Sequence, residues 1–156
     1  MLVVNNVTVG ADPELFIINE KTGKVVSSIG LIPGVKGEPW VSDDMPKGFG
    51  IETDNILAEY NIPPVKDRIS FINNIEYMKN YIKEFVKAKN PDLGILCAAS
   101  KRVDEDQLQS DEAKLFGCDP DYNVYTGDVN PKPEGAATNL RSAGQVIRPE
   151  YIVIYT

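Results

Sequence analysis

At Pro63-Pro64 the hydrophobic period of this chain changes, and few folds accommodate what lies on either side. Before the prolines, Ile56, Ala58, Tyr60 and Ile62 alternate with Asn55, Leu57, Glu59 and Asn61, the period-two pattern of a strand with one dry and one wet face. After them, Ile69, Ile72, Ile75, Met78, Ile82, Phe85 and Val86 recur at the spacing of a single helical stripe. Asp67 is placed to cap that helix or charge its first turn. Lys87 and Lys89 suit its C-terminal dipole, and Asn90-Pro91 ends it. The spacing therefore predicts a strand over 55–62, stopped by the double proline, and a long helix over 67–88. An amphipathic helix following an alternating strand packs on a sheet, so the expected class is α+β, with a mainly antiparallel sheet backed by one long helix.

The wet face of the 55–62 strand carries Glu59 between two carboxamides, Asn55 and Asn61. Carboxylate and amide oxygens are the ligands a hard cation such as Mg²⁺ requires. A solvated strand face gives the same pattern, and the residues alone leave both readings open. Upstream, Leu2 to Val9 is rich in β-formers, and Asp12, Glu14, Phe16 and Ile18 share one face of the next extended stretch. Asn19 to Lys24 reads as a hairpin loop, with Val25 to Ser28 returning. Residues 30–50 lose all periodicity and predict a long ordered loop or lid, in which Lys36 sits between glycines. There it either faces an anion together with backbone amides or is simply solvated. Leu93 to Ala98 reads as a short strand buried on both faces, and Ser110 to Phe116 as a short helix capped by Ser110.

Composition removes several classes of function. The chain has 156 residues, suits a single domain over 1–156, and at 42% hydrophobic content can build a core. Its formal charge of −7 argues against nucleic-acid binding through phosphate neutralisation. It has no histidine, so the commonest general base and zinc ligand are absent. Cys97 and Cys118 have no zinc spacing and form no disulfide framework. No apolar run is long enough to span a bilayer, so no membrane role is expected, and the expected location is the cytoplasm.

Five short motifs follow one another in order: Gly10-Ala11-Asp12-Pro13-Glu14-Leu15-Phe16, Gly34-Val35-Lys36-Gly37-Glu38-Pro39, Asp54-Asn55 with Glu59-Tyr60-Asn61-Ile62-Pro63-Pro64, Phe116-Gly117-Cys118-Asp119-Pro120-Asp121, and Leu140-Arg141-Ser142-Ala143-Gly144. Together they resemble the phage carboxylate-amine ligase family, the type-2 amidoligases of tailed phages, in the glutamine synthetase and glutamate-cysteine ligase superfamily. The resemblance runs to about residue 144. It implies a glutamine synthetase-like half-barrel whose concave face holds Mg²⁺ and ATP, in the cytoplasm of a phage-infected host cell. It further implies that a substrate carboxylate is phosphorylated and then attacked by an amine. Carried over by motif position, the metal ligands would be Glu14, Glu59 and Asp12. Lys36, Asn55, Asn61 and Arg141 would bind the cofactor, and Glu14, Glu59 and Arg141 would be catalytic. Glu52 would fall on the opposite face if its strand ran unbroken into the next.

After Ser142-Ala143-Gly144 the resemblance ends. A histidine-bearing strand of the family is replaced by Gln145 to Tyr155, and the chain is expected to be a C-terminally truncated relative, weakly active or inactive. Either another subunit completes the site or catalysis has been lost. The alternative function is a non-catalytic phage protein that binds and inhibits a host or defence protein. A further version has the acidic cluster Asp104, Glu105, Asp106, Asp111 and Glu112 imitating nucleic acid, against the plainer reading of a solvated face. The apolar final segment predicts an edge open to a second copy of the chain, hence a homo-oligomer, or to a partner protein.

Overall fold

The computed structural model describes residues 7–114 and 125–129. The motifs at Phe116–Asp121 and Leu140–Gly144, together with Arg141, Cys118 and the terminal segment 145–155, lie outside these residues. So do residues 2–6 of the expected opening strand.

The architecture is α+β, a mostly antiparallel sheet of six strands with one long helix. In chain order, β1 (Val9–Ala11), β2 (Glu14–Asn19) and β3 (Val25–Val26) are followed by the long 30–50 loop. Then come β4 (Gly50–Asp54), β5 (Leu57–Val65), α1 (Arg68–Lys89) and β6 (Leu93–Leu96). A 3-10 turn at Glu105–Leu108 and the single-turn α2 (Asp111–Lys114) follow β6. β5 is the hub. β1 and β2 lie antiparallel to it, with Ala11 opposite Ile62 and Glu14 opposite Glu59, and β4 lies antiparallel to it from Gly50↔Asn61 to Asp54↔Leu57. Beyond Leu15, the pairing of β2 passes to β3 and β6. No helix among the described residues is long and apolar enough to cross a membrane.

The strand period sorts side chains to two covered faces. Leu15, Ile17, Ile51, Ala58, Tyr60 and Ile62 pack with Met78, Ile82 and Val86 of α1. Phe16 and Leu57 point the other way, into a smaller cluster with Val25, Ile56, Leu108 and Ala113. At Leu57 the second face of β5 is thus not wet, as the alternation suggested, but covered by Leu108 and Ala113 of the chain that follows β6.

Several expected boundaries move, each for an identifiable reason. The strand expected over 55–62 begins only at Leu57. Asn55 and Ile56 are the central residues of a hairpin turn between β4 and β5, and Asn55 adopts φ 51°. A positive φ at the first central position fits a two-residue hairpin, and asparagine tolerates it well. The double proline does not stop β5, which continues to Val65. Its β4 ladder has already ended at Asn61, and its register with β1 shifts between Val9 and Ala11, so the missing N–H groups fall where the ladder is open or bulged. β6 ends at Leu96, two residues early, with Ile95 and Leu96 half-buried and Cys97 exposed. The return strand after the hairpin is only Val25–Val26.

The helix begins one residue later than expected because Asp67 is its cap: the Asp67 carboxylate accepts the Ser70 N–H at 2.8 Å. At the far end, the Asn90 N–H donates to the Val86 carbonyl at 3.0 Å. Its apolar stripe is buried only in the C-terminal half. Ile69 is 72% exposed and Ile72 44%, whereas Ile82 is fully buried. Ile82→Ala should therefore cost about 2–5 kcal/mol and Ile69→Ala less than about 0.5 kcal/mol, read by urea denaturation. Equal losses at both positions would mean that the whole stripe is covered.

Candidate metal centre

Three adjacent strands bring three glutamates into one line. Glu59 of β5 stands opposite Glu14 of β2 on one side and Glu52 of β4 on the other. The β4–β5 hairpin makes this possible. It reverses the chain between residues 52 and 59, so Glu52 meets Glu59 side by side on the same face. In an unbroken strand the odd spacing from 52 to 59 would have sent it to the opposite one. Asp54, two residues on from Glu52, joins the same face. Ligand oxygens of Glu14, Asp54 and Glu59 lie within 4.8 Å of one another. Glu52, Asp54 and Glu59 are 5%, 6% and 7% exposed.

Such an arrangement is costly without a counter-charge. Two carboxylates about 5 Å apart repel by roughly 3 kcal/mol at an effective dielectric of 20, and like charges directly opposite each other weaken a sheet. The charges respond by holding protons. Burial first, then the charges of Asp54 and Asp12, push the Glu14 carboxyl up to about 7 against the pull of Lys36. Burial, then Glu52, Asp54 and Glu14, push Glu59 to about 8. Burial also raises Glu52, opposed by hydrogen bonds from the Gly37 amide and from Glu59. Even so, one oxygen each of Glu52, Asp54 and Asn61 is buried with no hydrogen-bond partner among the described residues. Unpaired buried oxygens are rare, and a cation would satisfy them.

Among the described residues, the 30–50 loop supplies the positive group that pairs with this cluster. It is stitched along β4: the Thr53 N–H donates to the Gly34 carbonyl at 3.0 Å, and Trp40 and Ile51 exchange two backbone bonds at 2.8 and 2.9 Å. Gly34 has to be glycine, since a Cβ there would sit 2.2 Å from the Ile51 carbonyl oxygen. Two residues on, the half-exposed Lys36 ammonium pairs with the buried Asp54 carboxylate. It is therefore not merely solvated: the anion it meets is a carboxylate of the chain itself.

Of the other sequence-derived candidates, Asp12 lies in the exposed bend where Pro13 interrupts the first extended stretch, outside the close group. The Pro13 carbonyl there accepts the Tyr60 N–H at 3.1 Å. Asn55 sits in the turn next to Asp54 and donates its side-chain amide to the Glu112 carbonyl at 3.1 Å. Asn61 follows Glu59 on the same face. Arg141 lies outside the described residues. Asp54 was missed as a ligand, although the Asp-Asn pair at 54–55 is itself a turn signal that would have placed it on a second strand. Compared with protein-family models, with curated proteins and with solved structures, the chain matches none.

The raised carboxyls set the direction of the pH dependence. Folded-state values above the ordinary 4.5 mean that the folded chain keeps protons the unfolded chain has released. The metal-free protein should lose stability as pH rises from about 5 to 8, by up to about 1.4 kcal/mol per pH unit for each such carboxyl, and then level off. Glu59→Gln should flatten the slope and raise stability at pH 8. Urea titrations across this window check it, and stability that climbs with pH would contradict the crowding.

Proposed function

We propose that the carboxylate line is a divalent-cation centre, and that the chain is an amidoligase-like protein of phage type using it for ATP-dependent carboxylate-amine ligation. The supporting observation is the set of carboxylates on neighbouring strands, in which buried oxygens of Glu52 and Asp54 have no partner among the described residues. A hard cation bound by carboxylate oxygens at about 2.0–2.6 Å bridges ligand atoms spaced as these are. On this reading Glu14, Asp54 and Glu59 hold the ion, Glu52 and Asn61 support it, and the six-stranded sheet is part of a glutamine synthetase-like half-barrel. Bound there, Mg²⁺ would supply charge neutralisation for phosphoryl transfer, a reaction that asks the protein for positioning and electrostatics more than for covalent chemistry. The overall reaction passes a phosphoryl group from ATP to a substrate carboxylate, releasing ADP. The amine nitrogen then bonds the acyl carbon as phosphate leaves, with loss of the amine proton.

This reading adds Asp54 to the ligands, moves Asp12 out of the primary group, and leaves Arg141 as the proposed partner of substrate oxygens. Calorimetry should show Mg²⁺ or Mn²⁺ binding that weakens at least about tenfold in Asp54→Asn and in Glu59→Gln. Phosphate release from ATP in the presence of mixed amino acids and amines then tests the chemistry. Cation binding without turnover would leave a metal-stabilised, non-catalytic binder of a host or defence protein. No cation binding at millimolar concentration would remove the proposal.

A further inference from the structure

We propose that the Lys36 ammonium is a tethered counter-cation that an arriving divalent ion displaces, so that filling the carboxylate line is what turns Lys36 toward a phosphate-bearing ligand. The inference rests on the cation reading above and adds an order of events to it: metal first, anion second.

The geometry carries each part. Lys36 pairs with one oxygen of Asp54, while the other oxygen of the same carboxylate is buried without a partner among the described residues. Among the described residues one monovalent group thus serves a cluster of four carboxyls, Glu14, Glu52, Asp54 and Glu59, and leaves buried oxygens of Glu52 and Asp54 without a partner. A divalent ion offers twice the charge and several coordination positions, and it competes for the Asp54 oxygen that the ammonium holds. Two cations crowded onto one carboxylate repel each other, so the weaker ligand yields. A lysine ammonium is a strongly hydrated point charge on a flexible stem, which makes it the group able to leave.

The surroundings fit a side-chain displacement. Gly34 and Trp40 fix the loop backbone to β4, whereas the Lys36 side chain is 48% exposed and can swing. Beside it opens a cavity of about 510 Å³, whose polar lining is Lys36, Thr53, Asp54, Asn55 and, at its exposed edge, Glu112. Once released, the ammonium faces this cavity next to the bound metal. A cation pair of that kind, metal plus lysine, is what phosphate oxygens select.

The test is the acylation rate of Lys36 in the intact wild-type chain, followed by peptide mass spectrometry with Lys83 as the internal reference. Saturating Mn²⁺ should raise the Lys36 rate at least about threefold and leave Lys83 unchanged. Adding pyrophosphate while free Mn²⁺ is held at its saturating concentration, so that the site stays filled, should return it toward the metal-free rate, with no such effect in the absence of metal. Protection by pyrophosphate supports recognition of phosphate alone, and protection by ATP but not pyrophosphate supports a nucleoside polyphosphate. Protection by neither overturns the anion-receiving role. Mn²⁺ binding with an unchanged Lys36 rate overturns displacement while the metal reading stands, and failure to bind Mn²⁺ overturns both.

Discussion

Repulsion among buried carboxylates is the constraint on which the rest of this structure depends. Glu14, Glu59 and Glu52 face one another across three strands because β5 is shared by β2 and β4, and the same two pairings make β5 the hub of the sheet. The register that builds the core thereby also gathers the negative charge. Shifting either pairing by one residue would separate the glutamates, and it would also turn Leu15, Ile51 and Tyr60 away from α1. Core and site cannot be tuned independently.

The elements that were legible in the sequence are those whose pattern is set locally. The helix is read from seven apolar positions and a capping aspartate, and the first hairpin from Gly23, which adopts φ 68°. The turn at Asn55 was hidden because Ile56, although a turn residue, continues the alternation of Ala58, Tyr60 and Ile62. Its own burial is with Phe16 and Leu57 in the other cluster. Period two cannot distinguish one strand from a tight hairpin when the apolar count happens to stay in phase. Proline likewise signals a missing N–H but not whether that N–H had a partner. At Pro63 and Pro64 the neighbouring ladder had already ended or bulged, and the strand continued.

The candidate site was legible in part, for a related reason. Glu14 and Glu59 stand out because each is a lone carboxylate in an apolar strand. Glu52 and Asp54 carry no such contrast, since their placement follows from a chain reversal and from a loop packed against β4. Long-range geometry of this kind leaves little trace in local spacing. The exposed first half of α1 shows the converse: Ile69 and Ile72 keep the stripe's period, but no described residue covers them. Periodicity reports which side chains share a face, and says nothing of how far along the helix the sheet extends.

Gly34 has a consequence for time rather than for shape. Its backbone lies so close to Ile51 and Glu52 that no side chain fits between them, and the neighbouring strand holds the segment again at Trp40. The stretch over the acidic cluster is therefore a fixed rail, with mobility concentrated in the stem of Lys36. Rearrangements of whole loops run from nanoseconds to microseconds, whereas an exposed side chain changes rotamer in picoseconds to nanoseconds. Charge at this centre can thus rearrange at the speed of one side chain, with no gate to open first.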